Sequence, residues 1–91
     1  MSSFRVKINE QRWTVKFVRR IQVDGEPCYG VCDVAKREIR LERGLTGQQL
    51  LDTVIHEIMH AAGWNLDEQF IEQTATDIAT ALTHPRVMER L

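Results

Sequence analysis

The chain has 91 residues and a net charge of −1, a length that suits one domain near the lower limit for a self-sufficient hydrophobic core, which a bound metal would help hold together. No stretch resembles a signal peptide and none approaches a membrane span, so an intracellular, cytoplasmic protein is the default. The near-neutral total hides an asymmetry: ten of the twelve Lys/Arg precede Leu45, seven of the thirteen Asp/Glu follow it, and no Lys or Arg lies between Arg43 and Arg86, which makes the C-terminal half cation-attracting and the N-terminal half mildly basic.

Phe4, Val6 and Ile8 alternate with polar residues, as do Trp13, Val15 and Phe17, and Asn9-Glu10-Gln11 between them marks a β-hairpin. Arg5, Lys7, Arg12, Lys16, Arg19 and Arg20 offer a contact for a nucleic-acid backbone. The same alternation is what any half-buried hairpin requires. After the turn Asp24-Gly25-Glu26-Pro27 a third strand is predicted over about Cys28 to Asp33, and a fourth is marked by Ile39 and Leu41 after the polar break at Ala35-Lys36-Arg37. In one extended strand Cys28 and Cys32 stand roughly 13 Å apart, too far for a disulfide. They read as reduced thiols on a small-residue face with Gly30.

Gly44 closes the strand region. Leu50, Leu51, Val54, Ile55, Ile58, Met59 and Ala62 then recur at helical spacing on one broad face. Thr46 with Gln49 forms a capping-box start, and Gly63 is placed to end this helix. A second helix, capped by Asn65 or Asp67, is predicted to run to about Thr83, where His84-Pro85 stops it. Strands first and helices after predict a single α+β domain over 1–91: an antiparallel or mixed sheet of three to four strands in 1–44, two main helices in 45–84, and a tail at 85–91.

Inside the first helix lies His56-Glu57-Ile58-Met59-His60, an H-E-x-x-H pattern. Two histidines four apart share one helix face, about 6 Å apart along the axis, within reach of one Zn²⁺. Glu57 points about 100° away, where a general base for an activated water belongs. A catalytic zinc needs three protein ligands and an open position. The metzincin extension x-x-G-x-x-H finds Gly63 but then Leu66, so that branch is excluded. Asp67, Glu68, Glu72, Asp77 and His84 remain. The apolar stripe Ile71, Ala75, Ile78, Ala79 and Leu82 places Glu68, Glu72 and Thr76 on one of its edges and Asp77 on the other. Glu68 lies almost on the connection; Glu72, one turn deeper, is the expected third ligand, with Glu68 or His84 next in line.

Residues 51–62 together with Glu72-Gln73-Thr74-Ala75-Thr76-Asp77-Ile78-Ala79 resemble the small gluzincin-type metallopeptidases, the minigluzincins and related SprT-like or zincin-like proteins common in phages and prokaryotes. In that family the third ligand is the glutamate of an E-x-x-A-N-x-F-A pattern. Glu72, Ala75 and Ala79 match it, Ile78 stands for the phenylalanine, and Thr76 replaces the asparagine. The resemblance implies a zinc-dependent peptidase acting on a peptide or protein substrate, with Zn²⁺ on His56, His60 and Glu72 and Glu57 as the catalytic base. Asp52 or Thr76 would orient an imidazole, and Tyr29 and His84 are chemically suited to stabilise an oxyanion. The rival reading is a zinc-stabilised regulatory or binding module without proteolysis, or one associated with nucleic acid. Retention of Glu57 speaks against a purely structural metal, which needs no base.

Overall fold

The computed structural model describes residues 3–63 and 65–91. Strands β1 (Ser3–Ile8) and β2 (Gln11–Val18) form the expected hairpin. Ile8 pairs with Gln11, and both Asn9 and Glu10 have positive φ, 49° and 65°. That is the two-residue turn whose twist matches the strands it joins. The next segment departs from the expected single strand. Asp24 and Gly25, with φ of 53° and 80°, make a second tight hairpin between β3 (Ile21–Val23) and β4 (Glu26–Cys28). The chain then leaves that small sheet at Tyr29 and enters β5 (Gly30–Asp33). The break has a hydrogen-bonding cause: β4 has its partner in β3, β5 has its partner in β6 (Glu38–Glu42), and the Tyr29 carbonyl between them accepts the Glu42 N–H at 2.8 Å. Cys28 and Cys32 therefore sit in different sheets, both as free thiols.

The main sheet is mixed, with strand order β1-β2-β6-β5, β2 and β6 running parallel and the other pairs antiparallel. Register lines up Phe4, Val15, Ile39 and Cys32 in one row, and Phe17, Leu41 and Gly30 in the next. Trp13, Val15, Ile39 and Leu41 are buried in the core on that face. Helix α1 (Gly47–Ala61) packs Leu50, Val54 and Ile58 against it. Helix α2 (Glu68–Leu82) lies outside α1, and Ile71 and Ala75 close a second small core with Met59 and Ile55. The fold is thus α+β, with both helices on one side of the four-stranded sheet.

The helix ends follow the predicted signals with one exception. Asp67 caps α2, its Oδ2 accepting the Phe70 N–H at 3.1 Å, and Gly63 leaves α1 with φ of 77°. Thr46 is the N-cap of α1 but its side chain accepts no capping hydrogen bond, so the expected capping box with Gln49 does not form. Gly47, at the first helical position, has φ of 60°, a left-handed start incompatible with the ordinary cap geometry. Asn9 secures the other end: its Nδ2 donates to the Ala62 carbonyl at 2.6 Å. The tail forms a short helix, α3 (Pro85–Met88), capped by His84 Nδ1, which accepts the Arg86 N–H at 3.0 Å.

Leu41 lies at 0 % exposure in the middle row of the sheet under α1. Leu41→Ala is expected to cost about 2–5 kcal/mol in urea unfolding, as buried Leu truncations do. A loss below 1 kcal/mol would mean that the sheet–helix interface is not the main core.

Candidate metal centre

Helices α1 and α2 run antiparallel and meet along a polar seam that steps by four residues on each. Gln48 Nε2 donates to Thr80 Oγ1 at 2.8 Å, and Thr76 Oγ1 donates to Asp52 Oδ2 at 2.7 Å. Continuing the step brings His56 opposite Glu72 and His60 opposite Glu68, because residues four apart recur on one helix face. At the foot of the seam Glu68 spans both imidazoles: Oε1 is 3.0 Å from His56 Nε2, Oε2 is 3.2 Å from His60 Nε2, and the two Nε2 atoms are 3.1 Å apart.

With Glu68 ionised, hydrogen bonds do not fill all three contacts at once. A carboxylate only accepts, so each imidazole contact with Glu68 requires a proton on Nε2, and two protonated Nε2 atoms then face each other as donors. Moving one proton to bond the imidazoles together leaves a lone pair facing a carboxylate oxygen. A cation at the centre meets all three donor atoms at once, and two imidazoles with one carboxylate are a donor set suited to zinc. The group assembled is His56, His60 and Glu68. It shares both histidines with the expected set but not Glu72. Glu72 is exposed, lies beside His56 in the adjoining cleft, and makes no hydrogen bond or ion pair among the described residues. Glu68 reaches the histidines because α2 starts at once after its Asp67 cap, so its first turn faces the last turn of α1.

Glu57 stands apart from the triangle. It is only 8 % exposed and has no hydrogen-bond partner among the described residues. Burial raises its pKa above the usual carboxylate range, with His56 and His60 opposing the shift and Glu68 adding to it. Its space comes from Gly30, the first residue of β5: a Cβ there would lie 2.8 Å from Thr53 Cγ2 and 3.3 Å from Glu57 Oε2. This close approach was not visible in the sequence, where Gly30 read only as a small residue between two cysteines. Beyond it, Cys32 faces the core, and its thiol is pushed up to about 11 by burial, then by Glu57 and Asp33. It stays protonated and serves as packing.

Two clefts flank Gly30 and share Glu57. One, of about 390 Å³, is lined by Tyr29, Gln49, Asp52, His56, Glu72 and Thr76 among others. The other, of about 320 Å³, is lined by Val31, Cys32, Val34 and His60. Of the candidate oxyanion donors, Tyr29 lines the first cleft, whereas His84 is engaged as the α3 cap. Asp52 and Thr76 bond each other, which makes them a clamp between the helices. The basic side chains lie elsewhere. Lys7 and Arg12 are exposed opposite each other, and Lys16 pairs with Glu38 at 2.8 Å. Trp13 is buried at 2 % exposure and Phe17 packs on the core, so neither is available for base stacking on that charged face.

Gly30→Ala is expected to destabilise by about 1–3 kcal/mol through overpacking against Thr53 and Glu57, read by denaturant unfolding. Metal-free Glu57→Gln is expected to melt above the metal-free wild type at pH 7. A carboxyl whose pKa is raised on folding contributes stability at low pH that is lost as pH rises through the raised value, so the difference should shrink toward pH 4. A constant difference across that range would assign the effect to packing. No family model, curated protein or solved structure matches the chain.

Proposed function

We propose that this protein is a small zinc metallopeptidase of the gluzincin kind, in which His56, His60 and Glu68 hold the metal and Glu57 is the general base. The observation that carries the reading is the convergence of Glu68 on both Nε2 atoms of the H-E-x-x-H pair, with the intervening Glu57 buried beside the group and outside it. A structural zinc is normally closed by a fourth protein ligand and needs no base; among the described residues three donors converge here, not four.

When bound, the zinc supplies a Lewis acid that acidifies water and polarises a carbonyl. Glu57 takes the proton of the attacking water and passes it to the leaving amine, and its raised pKa suits a group that must hold a proton and release it. Strand β5 is an edge of the main sheet, paired only with β6. Its free edge beside the two clefts supports an extended peptide adding as a further strand, with Gly30 letting the backbone approach Glu57. The clamp between Asp52 and Thr76 keeps α2, and with it Glu68, in register with the histidines.

Metal analysis and peptide hydrolysis test this together. Wild type and Glu57→Gln are each expected to hold about one zinc per chain, with turnover reduced about 10²-fold or more in Glu57→Gln. Glu68→Ala is expected to lose the metal on dialysis and Glu72→Ala to keep it. The opposite pattern would return the third ligand to Glu72, and full zinc occupancy without any turnover would favour a zinc-stabilised binding module.

A further inference from the structure

Helices α1 and α2 lie on one side of the four-stranded sheet, and among the described residues no helix covers the other side. Alternation puts Arg5, Lys7, Arg12, Lys16, Glu38 and Arg40 on that open face, because Val6, Trp13, Val15, Ile39 and Leu41 beside them belong to the core. The two halves of the face treat charge differently. On the β6 side Lys16 pairs with Glu38 at 2.8 Å, and Arg40 lies 3.6 Å from Glu38 and 3.9 Å from Asp33. On the β1–β2 side Arg5, Lys7 and Arg12 are exposed and form no ion pair among the described residues, although Glu10 stands in the same hairpin. Lys7 and Arg12 are directly opposite in the register. Like charges so placed weaken a hairpin, and the fold gains nothing from them. The turn between β5 and β6 adds Lys36 and Arg37, also exposed and without an ion pair, at this same end, since the Arg37 carbonyl accepts the Thr14 N–H at 3.0 Å.

We propose that this end of the open face, with Arg5, Lys7, Arg12, Lys36 and Arg37, holds the phosphate backbone of a double-helical nucleic acid. Cations that the protein leaves unneutralised are complementary to a polyanion, and the counterions released from it drive the contact. A duplex is favoured over a single strand by the lack of aromatic rings on which bases would stack. Phe4 shares the core-side row with Val15, Trp13 is buried, and the exposed Tyr29 sits at the other end of the sheet, where its carbonyl accepts the Glu42 N–H. Val34 is the one large apolar side chain exposed in the turn that carries Lys36 and Arg37. That is too little for the apolar centre of a protein interface or for insertion into lipid. With phosphates contacted and no base edge read, binding does not depend on sequence. The candidate metal centre lies on the helix side of the sheet, so this contact does not depend on the metal.

Fluorescence anisotropy of labelled duplexes of about 20 base pairs with the full chain, at salt from about 25 to 200 mM, tests the contact. Two duplexes of unrelated sequence are expected to bind equally and more tightly than either single strand, with log affinity falling against log salt at a slope of about −4. Arg5→Gln, Lys7→Gln and Arg12→Gln together are expected to weaken binding roughly tenfold or more and to flatten that slope by about three. The triple variant should melt no lower than wild type, because it relieves the contact between Lys7 and Arg12. A lower melting temperature would assign the cations to the fold and overturn the proposal. Arg19→Gln with Arg20→Gln, at the far end of β2, should leave affinity within about twofold. An equal loss in that control, no binding at the lowest salt, tighter binding of a single strand, or tighter binding to anionic phospholipid vesicles than to duplex would each overturn it as well.

Discussion

The antiparallel contact between α1 and α2 is the constraint on which the candidate centre depends. Each helix presents a polar residue every fourth position, and the two series meet along the seam: Gln48 with Thr80, Asp52 with Thr76, and both His56 and His60 with Glu68. The upper rungs, an amide donating to a hydroxyl and a hydroxyl donating to a carboxylate, fix the sliding register of the helices. With that register set, a displacement of one helical turn would carry Glu68 past His60 by about 5.4 Å and leave the imidazoles without a carboxylate between them. Apolar packing of Met59, Ile71 and Ala75 holds the helices together, but a surface of small and branched side chains tolerates sliding better than paired polar groups do.

The sheet has the complementary role of burying the base. Glu57 faces β5, and the absence of a side chain at Gly30 lets strand and helix approach closely enough to bury most of the Glu57 side chain while it still lines both clefts. One residue type thus accounts for both the packing of an edge strand on α1 and the altered acidity of Glu57. The histidines on the opposite flank remain half-buried, open to the clefts. A buried carboxyl thus stands beside more accessible imidazoles within one short helix.

Much of this was legible in the sequence because it depends on short periodicities. Alternation in Phe4-Val6-Ile8 and Trp13-Val15-Phe17 marks the first hairpin, and the spacing from Leu50 to Ala62 marks α1. The three-residue strands β3 and β4 were not legible: Ile21-Gln22-Val23 is too short to show a period, and Asp24-Gly25-Glu26-Pro27 reads as a turn ahead of one strand, whereas Asp24-Gly25 is the centre of a hairpin whose second strand already contains Glu26 and Pro27. Parallel pairing of β2 with β6 is non-local and has no signature in either strand. The preference for Glu72 over Glu68 rests on depth along α2 and on the E-x-x-A match of Glu72 and Ala75, neither of which carries the register between the helices. Counting in fours on both helices from a shared rung would have set His60 against Glu68, but that rung, Asp52 with Thr76, is a tertiary contact.

Asn9 carries a consequence for how the molecule opens. Its amide holds the Ala62 carbonyl from the tip of the first hairpin, so the C-terminal turn of α1, which bears His60, is tied to a strand pair at the far edge of the sheet. Helix ends ordinarily fray independently of the rest of a domain. Here fraying of that turn must also break the hydrogen bond from Asn9, whose backbone is held with Glu10 at positive φ in the hairpin turn. Amide exchange in the final turn of α1 should then quicken when the Asn9 side chain is removed, which makes Asn9 one of the groups that keep His60 in place.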